Sequence, residues 1–224
     1  MSTSVTFSVE QARTNMIAQQ IRTWDVLDNH VLDTLQAIPR ERFVPAGQEH
    51  LAFVDTQVPL GEGQCMFQPK VEARLLQALQ LQPTDSVLEI GAGSGYMAAL
   101  LAHQAQSVVT VEKRPALTAM ARANLAGAGI QNVMVQEGNG FSADAPWAHR
   151  EVHVVVFSGG LPQKPESFLS LLKPGGRLCA IIGTAPVMRA VLITREAQGF
   201  SEKVLFDTLV PMLEDHPFPP QFRF

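Results

Sequence analysis

The chain has 224 residues, of which 46% are hydrophobic and 17% charged, a balance that excludes a disordered or low-complexity polypeptide. Its net charge of −4, with basic residues scattered rather than run together, excludes a general binder of nucleic acid or anionic membranes. Two distant cysteines, Cys65 and Cys179, make no disulfide framework, no apolar run reaches membrane-spanning length, and the N-terminus lacks a basic and apolar leader, so a cytoplasmic location is expected.

In chain order, Ser8-Val-Glu-Gln11 reads as a capping box, and Met16, Ile17, Gln20 and Ile21 follow at helical spacing. A second helix starts near Asp28, aligns Val31, Leu32, Leu35 and Ile38 on one face, and stops at Pro39. The Gly-, Pro- and Gln-rich stretch after Pro45 reads as irregular until Pro69 opens another helix. From Ser86 onward strands and helices alternate. Strands are predicted at 87–90, 108–111, 133–136, 152–157 and 178–182, with helices after Tyr96, at 115–125 and around 166–172, and a turn at 173–176. The segments 187–194 and 204–210 lie too close together for a helical crossover and should pair antiparallel. The tail from His216 to Phe224 is extended by its prolines, with its phenylalanines packed on the domain. These elements predict an α/β, Rossmann-like, mostly parallel sheet. They divide into an N-terminal helical extension over 1–80 and a core over 81–224, together one compact domain.

The chemistry concentrates in Ser86-Val-Leu-Glu-Ile-Gly-Ala-Gly-Ser-Gly-Tyr96. An apolar strand breaks into three glycines and then runs into a good helix former. Glycines let the backbone turn sharply against a ligand, and a helix N-terminus offers unpaired N–H groups. A dinucleotide turn needs its third glycine one place later than Gly95. Glu112 ends the next strand, where an acid can accept hydrogen bonds from both hydroxyls of a ribose.

The acidic-x-G-x-G-x-G spacing that begins at Glu89 resembles motif I of class I methyltransferases. Gln20-Ile-Arg22, Pro39-Arg-Glu-Arg-Phe-Val44, Gly61-Glu-Gly-Gln64 with Gln68-Pro69, Asn132-Val133, Leu172-Lys-Pro-Gly-Gly-Arg177 and Leu209-Val-Pro211 extend the likeness. Over nearly its whole length the chain resembles the protein-L-isoaspartate O-methyltransferase family. The resemblance implies a seven-stranded sheet and a site for S-adenosylmethionine, which leaves as S-adenosylhomocysteine. Glu89, Gly91, Ala92, Gly93, Gly95, Glu112, Lys113, Asn139 and Gly140 are the cofactor-binding candidates. It also implies methyl transfer to the α-carboxylate of isoaspartyl residues in damaged proteins, followed by cyclisation to a succinimide that reopens. A carboxylate with a pKa of about 3.9 is already anionic at neutral pH, so no Ser/His/Asp array is required.

The chain departs from the family pattern on the acceptor side. Where the family has Thr-Ile-Ser with active-site hydroxyls, Cys65-Met66-Phe67 stands here, and Cys65 offers only a weak S–H donor. The family's Gly-Asp-Gly is Gly138-Asn139-Gly140, whose asparagine can still accept from an adenine amino group. An aspartate that opens the following strand is His153, and the Thr-Ala-Ala that ends it is Ser158-Gly159-Gly160. Gln64, Cys65, Phe67, Gln68 and Ser158 are therefore the expected acceptor-side residues. Three readings stay open: Ser158 or a backbone group replaces the lost donors; the acceptor is another nucleophile, such as a small molecule, rather than isoaspartyl; or the chain binds cofactor without turnover. His149, Glu151 and His153 alternate, but a metal site is not expected because no further ligand set accompanies them. Lys113-Arg114 reads as a solvated turn and Cys65 as a plain thiol. Composition and motif leave the oligomeric state open.

Overall fold

The computed structural model describes residues 8–216; most of the proline-rich tail lies outside them. Helix α1 (Val9–Met16) is capped by Ser8, whose Oγ accepts the Gln11 N–H at 3.1 Å, and its path continues through one wide turn at Ile17–Ile21. Helix α2 (Asn29–Ala37) starts at Asp28, which accepts the His30 N–H at 2.8 Å. The stretch expected to be irregular contains a small hairpin, β1 (Val58–Gly61) and β2 (Gln64–Met66). Its turn is carried by Gly61, Glu62 and Gly63, all at positive φ, so its signature is backbone conformation rather than an alternating side-chain pattern. Helix α3 (Pro69–Leu79) begins at its proline as expected.

The core follows as β3 (Ser86–Ile90), α4 (Tyr96–Gln104), β4 (Ser107–Glu112), α5 (Pro115–Gly127), β5 (Val133–Glu137), β6 (Val152–Leu161), α6 (Glu166–Leu169), β7 (Leu172–Thr184), β8 (Val187–Arg195) and β9 (Phe200–Asp207). These strands form one seven-stranded sheet of order β5-β4-β3-β6-β7-β8-β9. Pairing is parallel from β5 to β7 and antiparallel from β7 to β9. The central strands are buried on both faces, which is why β3 and β6 read as continuous apolar runs. On one face Leu35, Met16 and Ile21 from the N-terminal segment pack with Leu75, Leu76 and Leu100. On the other, Leu88, Val155 and Phe157 pack with Trp147 and Phe168.

Three boundaries differ from the expected ones. Strand β6 runs on past Phe157 to Leu161 because Gly159 and Gly160 leave room for the chain that returns after β9. The Gly160 N–H donates to the Pro211 carbonyl at 2.8 Å, and the Leu213 N–H donates to the Gly160 carbonyl at 2.9 Å. A Cβ at Gly159 would sit 2.7 Å from the Leu213 side chain. Strand β7 starts at Leu172, and the expected 173–176 turn is a bulge inside it, between the Val152–Leu172 and Val154–Arg177 pairs. That early start cuts α6 to one turn. Strand β9 begins earlier than expected and ends at Asp207, where the chain leaves to cross β6.

Beneath the hairpin lies the fully buried Arg40. Its guanidinium donates to the Ala52 carbonyl at 3.1 Å, the Phe67 carbonyl at 2.7 Å and the Glu72 carboxylate at 3.0 Å. A buried guanidinium needs all of these partners. They tie the segment after β2 to α3.

Candidate active site

At the end of β3 the chain turns through Gly91 (φ +97°), Gly93 (φ +52°) and Gly95 (φ +84°), conformations that side chains rarely adopt. A Cβ on Gly91 would sit 2.9 Å from Leu213, and one on Gly93 would sit 3.1 Å from Leu60. Gly95 serves differently: it caps α4 and lies against the backbone of Ala121 in α5, away from the cleft. Glu112 fixes the turn from the neighbouring strand. Its Oε2 accepts the Gly93 N–H at 2.9 Å and its Oε1 accepts the Arg114 N–H at 3.0 Å. Each oxygen keeps a further acceptor site.

Above this turn, at the carboxyl ends of the parallel strands, opens a cleft. Gln64, Cys65, Gly91, Gly93, Glu112, Lys113, Asn139, Gly140 and Ser158, all expected at the site, line it. Asn139 bends its own loop, accepting the Phe141 N–H at 2.8 Å. The cleft also has walls that sequence reasoning missed: Ile90, Val111, Leu117 and Phe141, an apolar set, and Arg114, Leu213 and Glu214 at the rim. Lys113 is exposed, as a solvated turn requires, but Arg114 is half-buried and both side chains are paired across the fold. Arg114 pairs with Glu62 of the hairpin turn at 3.0 Å and with Glu214 at 2.6 Å, while Lys113 pairs with Asp215 at 2.6 Å. These partners lie about fifty to a hundred positions away, so no local pattern announces them; Leu209-Val-Pro211 hints only that the returning chain matters.

A smaller space lies between the glycine turn and the hairpin. Leu60, Met66, Phe67, Glu72 and Ala92 wall it, together with Tyr96 and Met97 of α4. It shares Cys65, Gly91, Gly93 and Ser158 with the cleft, so these four residues form the junction of the two spaces. Phe67 is buried, with its carbonyl held by Arg40. Burial pushes the Cys65 thiol up to about 11, so it stays protonated at neutral pH and is no nucleophile. Glu89 lines neither space. Completely buried behind them, it accepts from the Ser158 and Thr110 hydroxyls, each at 2.6 Å. Burial pushes it up to about 7, against the pull of those two donors.

Two singled-out residues stand elsewhere. Gln68 lines a separate groove beside Trp24 and Lys70. The His153 Nδ1 accepts the Ser86 N–H at 3.0 Å at the amino ends of the strands, the edge opposite the cleft. Among the described residues no group of three or more His, Cys, Asp or Glu side chains could hold a metal ion. No helix among them is long and apolar enough to cross a membrane.

The cleft suits a nucleoside carrying a small polar arm, with a side-chain-free floor, spare carboxylate acceptor sites at Glu112 and an apolar slot for a flat base. Sheet order, glycine turn and strand-ending acid together define a class I methyltransferase. The fold matches a Plasmodium falciparum chain assigned as a protein-L-isoaspartate O-methyltransferase and solved with S-adenosyl-L-homocysteine. That match has a TM-score of 0.77 at 18% identity and covers 91% of this chain and 99% of that one. A second structure, of a protein-L-isoaspartate O-methyltransferase, matches with a TM-score of 0.76 at 24% identity over 90% of this chain and 65% of that one. The sequence goes further. The family model for protein-L-isoaspartate(D-aspartate) O-methyltransferase matches residues 11–213. Protein-L-isoaspartate O-methyltransferase 1 of Rhodopseudomonas palustris is 43% identical over 184 residues, 82% of this chain and 74% of the relative. The Koribacter versatilis enzyme is 34% identical over 216 residues, 96% and 95% respectively. The chain belongs to the protein-L-isoaspartate(D-aspartate) O-methyltransferase family, whose members are S-adenosylmethionine-dependent methyltransferases.

Proposed function

We propose that the protein methylates the α-carboxylate of isoaspartyl residues in damaged proteins. The observation that carries this reading is the junction at Cys65, Gly91, Gly93 and Ser158, where the cleft above the glycine turn meets the smaller space beneath the hairpin. S-adenosylmethionine, when bound, supplies a methyl group activated by its sulfonium. The chain supplies placement and dryness. Gly91 and Gly93 let the methionine arm lie on bare backbone, Glu112 holds the ribose hydroxyls, and the loop of Asn139 and Gly140 faces adenine. Lys113, Arg114 and the Leu213–Glu214 segment roof the cleft against water. In this reading the described residues up to 80 supply the hairpin side of the acceptor wall, and those from 81 to 216 supply the cofactor floor and the remaining cavity residues, Ser158 among them. The acceptor carboxylate arrives ionised, so no base is needed, and alignment carries most of the rate. Two free cysteines are compatible with a reducing cytoplasm.

Phe67 favours a second reading, an acceptor other than isoaspartyl, because its buried ring stands where the family pattern has a hydroxyl. Labelled methyl transfer to an isoaspartyl peptide and to its ordinary aspartyl twin separates the two. Transfer to the isoaspartyl peptide alone is expected. Transfer to neither, with S-adenosylhomocysteine bound in the same sample, would leave only the second reading.

A further inference from the structure

The cavity that would take the acceptor has lost the hydroxyls of the family pattern, since Cys65 and Phe67 provide neither. Ser158 is the hydroxyl residue shared by cleft and cavity at their junction, and it is half-buried there. In the arrangement found, its proton is committed to the Glu89 carboxylate at 2.6 Å, so toward a ligand Ser158 could only accept. An acceptor carboxylate has no proton to give. The conflict disappears if Glu89 carries the proton, because it then donates to the Ser158 Oγ and the Ser158 O–H turns outward.

We infer that Ser158 is the hydrogen-bond donor that holds the methyl-accepting carboxylate, and that Glu89 is the positioning residue whose proton frees it to donate. The inference rests on the isoaspartyl reading above. The surroundings of Glu89 favour that proton. Its carboxylate accepts from the Thr110 and Ser158 hydroxyls, and it is completely buried. The charged groups coupled to it are acids. Glu112 at the end of β4 raises its proton affinity, and Glu72 on α3 is raised by Glu89 in turn, with Arg40 bound to Glu72 rather than to Glu89. Thr110 donates to the other Glu89 oxygen, fixing which oxygen faces Ser158. Ionisation of Glu89 near neutrality then withdraws the donor.

The test is the pH profile of methyl transfer to an isoaspartyl peptide at saturating S-adenosylmethionine, for wild type, Glu89→Gln, Ser158→Ala and Ser158→Thr. Wild-type kcat/KM for the peptide is expected to fall about tenfold per pH unit above roughly pH 7, through a rising peptide KM. Glu89→Gln, whose amide permanently donates to Ser158 while accepting from Thr110, should lose that limb. Ser158→Ala should lose tenfold or more at every pH, and Ser158→Thr should recover most of it. A difference infrared spectrum of wild type minus Glu89→Gln should show a carboxylic acid band that titrates over the same range without any substrate. The limb persisting unchanged in Glu89→Gln, or Ser158→Ala keeping wild-type peptide kcat/KM, would overturn the inference. No transfer by folded, cofactor-binding wild type at any pH would instead remove the isoaspartyl reading itself, and this inference with it.

Discussion

The floor of the cofactor cleft and the wall of the acceptor cavity are built from different materials. The floor is backbone: glycines at positive φ, one carboxylate accepting two main-chain N–H groups, and strand ends in parallel register. The wall is side chain: Cys65 on the hairpin and Phe67 just after it, a buried Arg40–Glu72 pair beneath them, and Ser158 tied to Glu89. Backbone geometry admits few sequences, so the floor keeps its glycine motif and its strand-ending Glu112. A side-chain wall can be rebuilt residue by residue while the fold around it stands, and here it departs from the family pattern.

The largest expected effect strikes the floor. Gly91→Val places a branched side chain at φ +97° and against Leu213, and should weaken S-adenosylhomocysteine binding at least a hundredfold in a calorimetric titration. Near-wild-type binding would mean the floor lies elsewhere. Next is the support of the wall. Arg40→Met leaves the buried Glu72 carboxyl, which burial already pushes up to about 8, without its donor and should lower unfolding free energy by roughly 3 kcal/mol in urea, while Arg40→Met with Glu72→Leu should recover part of it. Equal losses in the single and double variants would show that the lost guanidinium contacts to Ala52 and Phe67, rather than the unpartnered Glu72 carboxyl, dominate.

Glu89 sharpens the comparison through pH. Its folded-state value is raised to about 7 from an ordinary 4.5, so the folded state holds the proton longer than the unfolded chain. This group's contribution is therefore intact below about pH 4.5 and is lost as pH rises through 7. Glu89→Gln should leave stability near wild type at pH 4 and raise it by up to roughly 3 kcal/mol at pH 8. A gain of equal size at both pH values would rule out ionisation as its cause. The rim should respond least. Arg114→Ala removes two half-exposed ion pairs and should weaken S-adenosylhomocysteine binding only a few-fold, an effect that added salt suppresses in wild type.

The same contrast explains what could be read from sequence. Alternating apolar runs and helix signals located every strand of the core, and Gly91, Gly93 and Glu112 were visible because backbone turns and strand ends leave local signatures. The β1–β2 hairpin was hidden because its signature is three consecutive positive-φ residues in a stretch with no alternation. The bulge at 173–176 was hidden because Gly175 and Gly176 also spell a turn. Arg114 meeting Glu62 and Glu214, and Glu89 meeting Ser158, are contacts across fifty to a hundred positions that only the folded chain creates. Gly159-Gly160 carried a readable hint of close approach, but the approaching segment was not named by it.

The most direct measurement is the crystal structure of the protein with both S-adenosylhomocysteine and an isoaspartyl peptide. The acceptor carboxylate should lie between Cys65 and Ser158, facing the cofactor sulfur, with the ribose on Glu112. A peptide seated away from that junction, or a Phe67 ring filling the space before the sulfur, would contradict isoaspartyl methylation at this site.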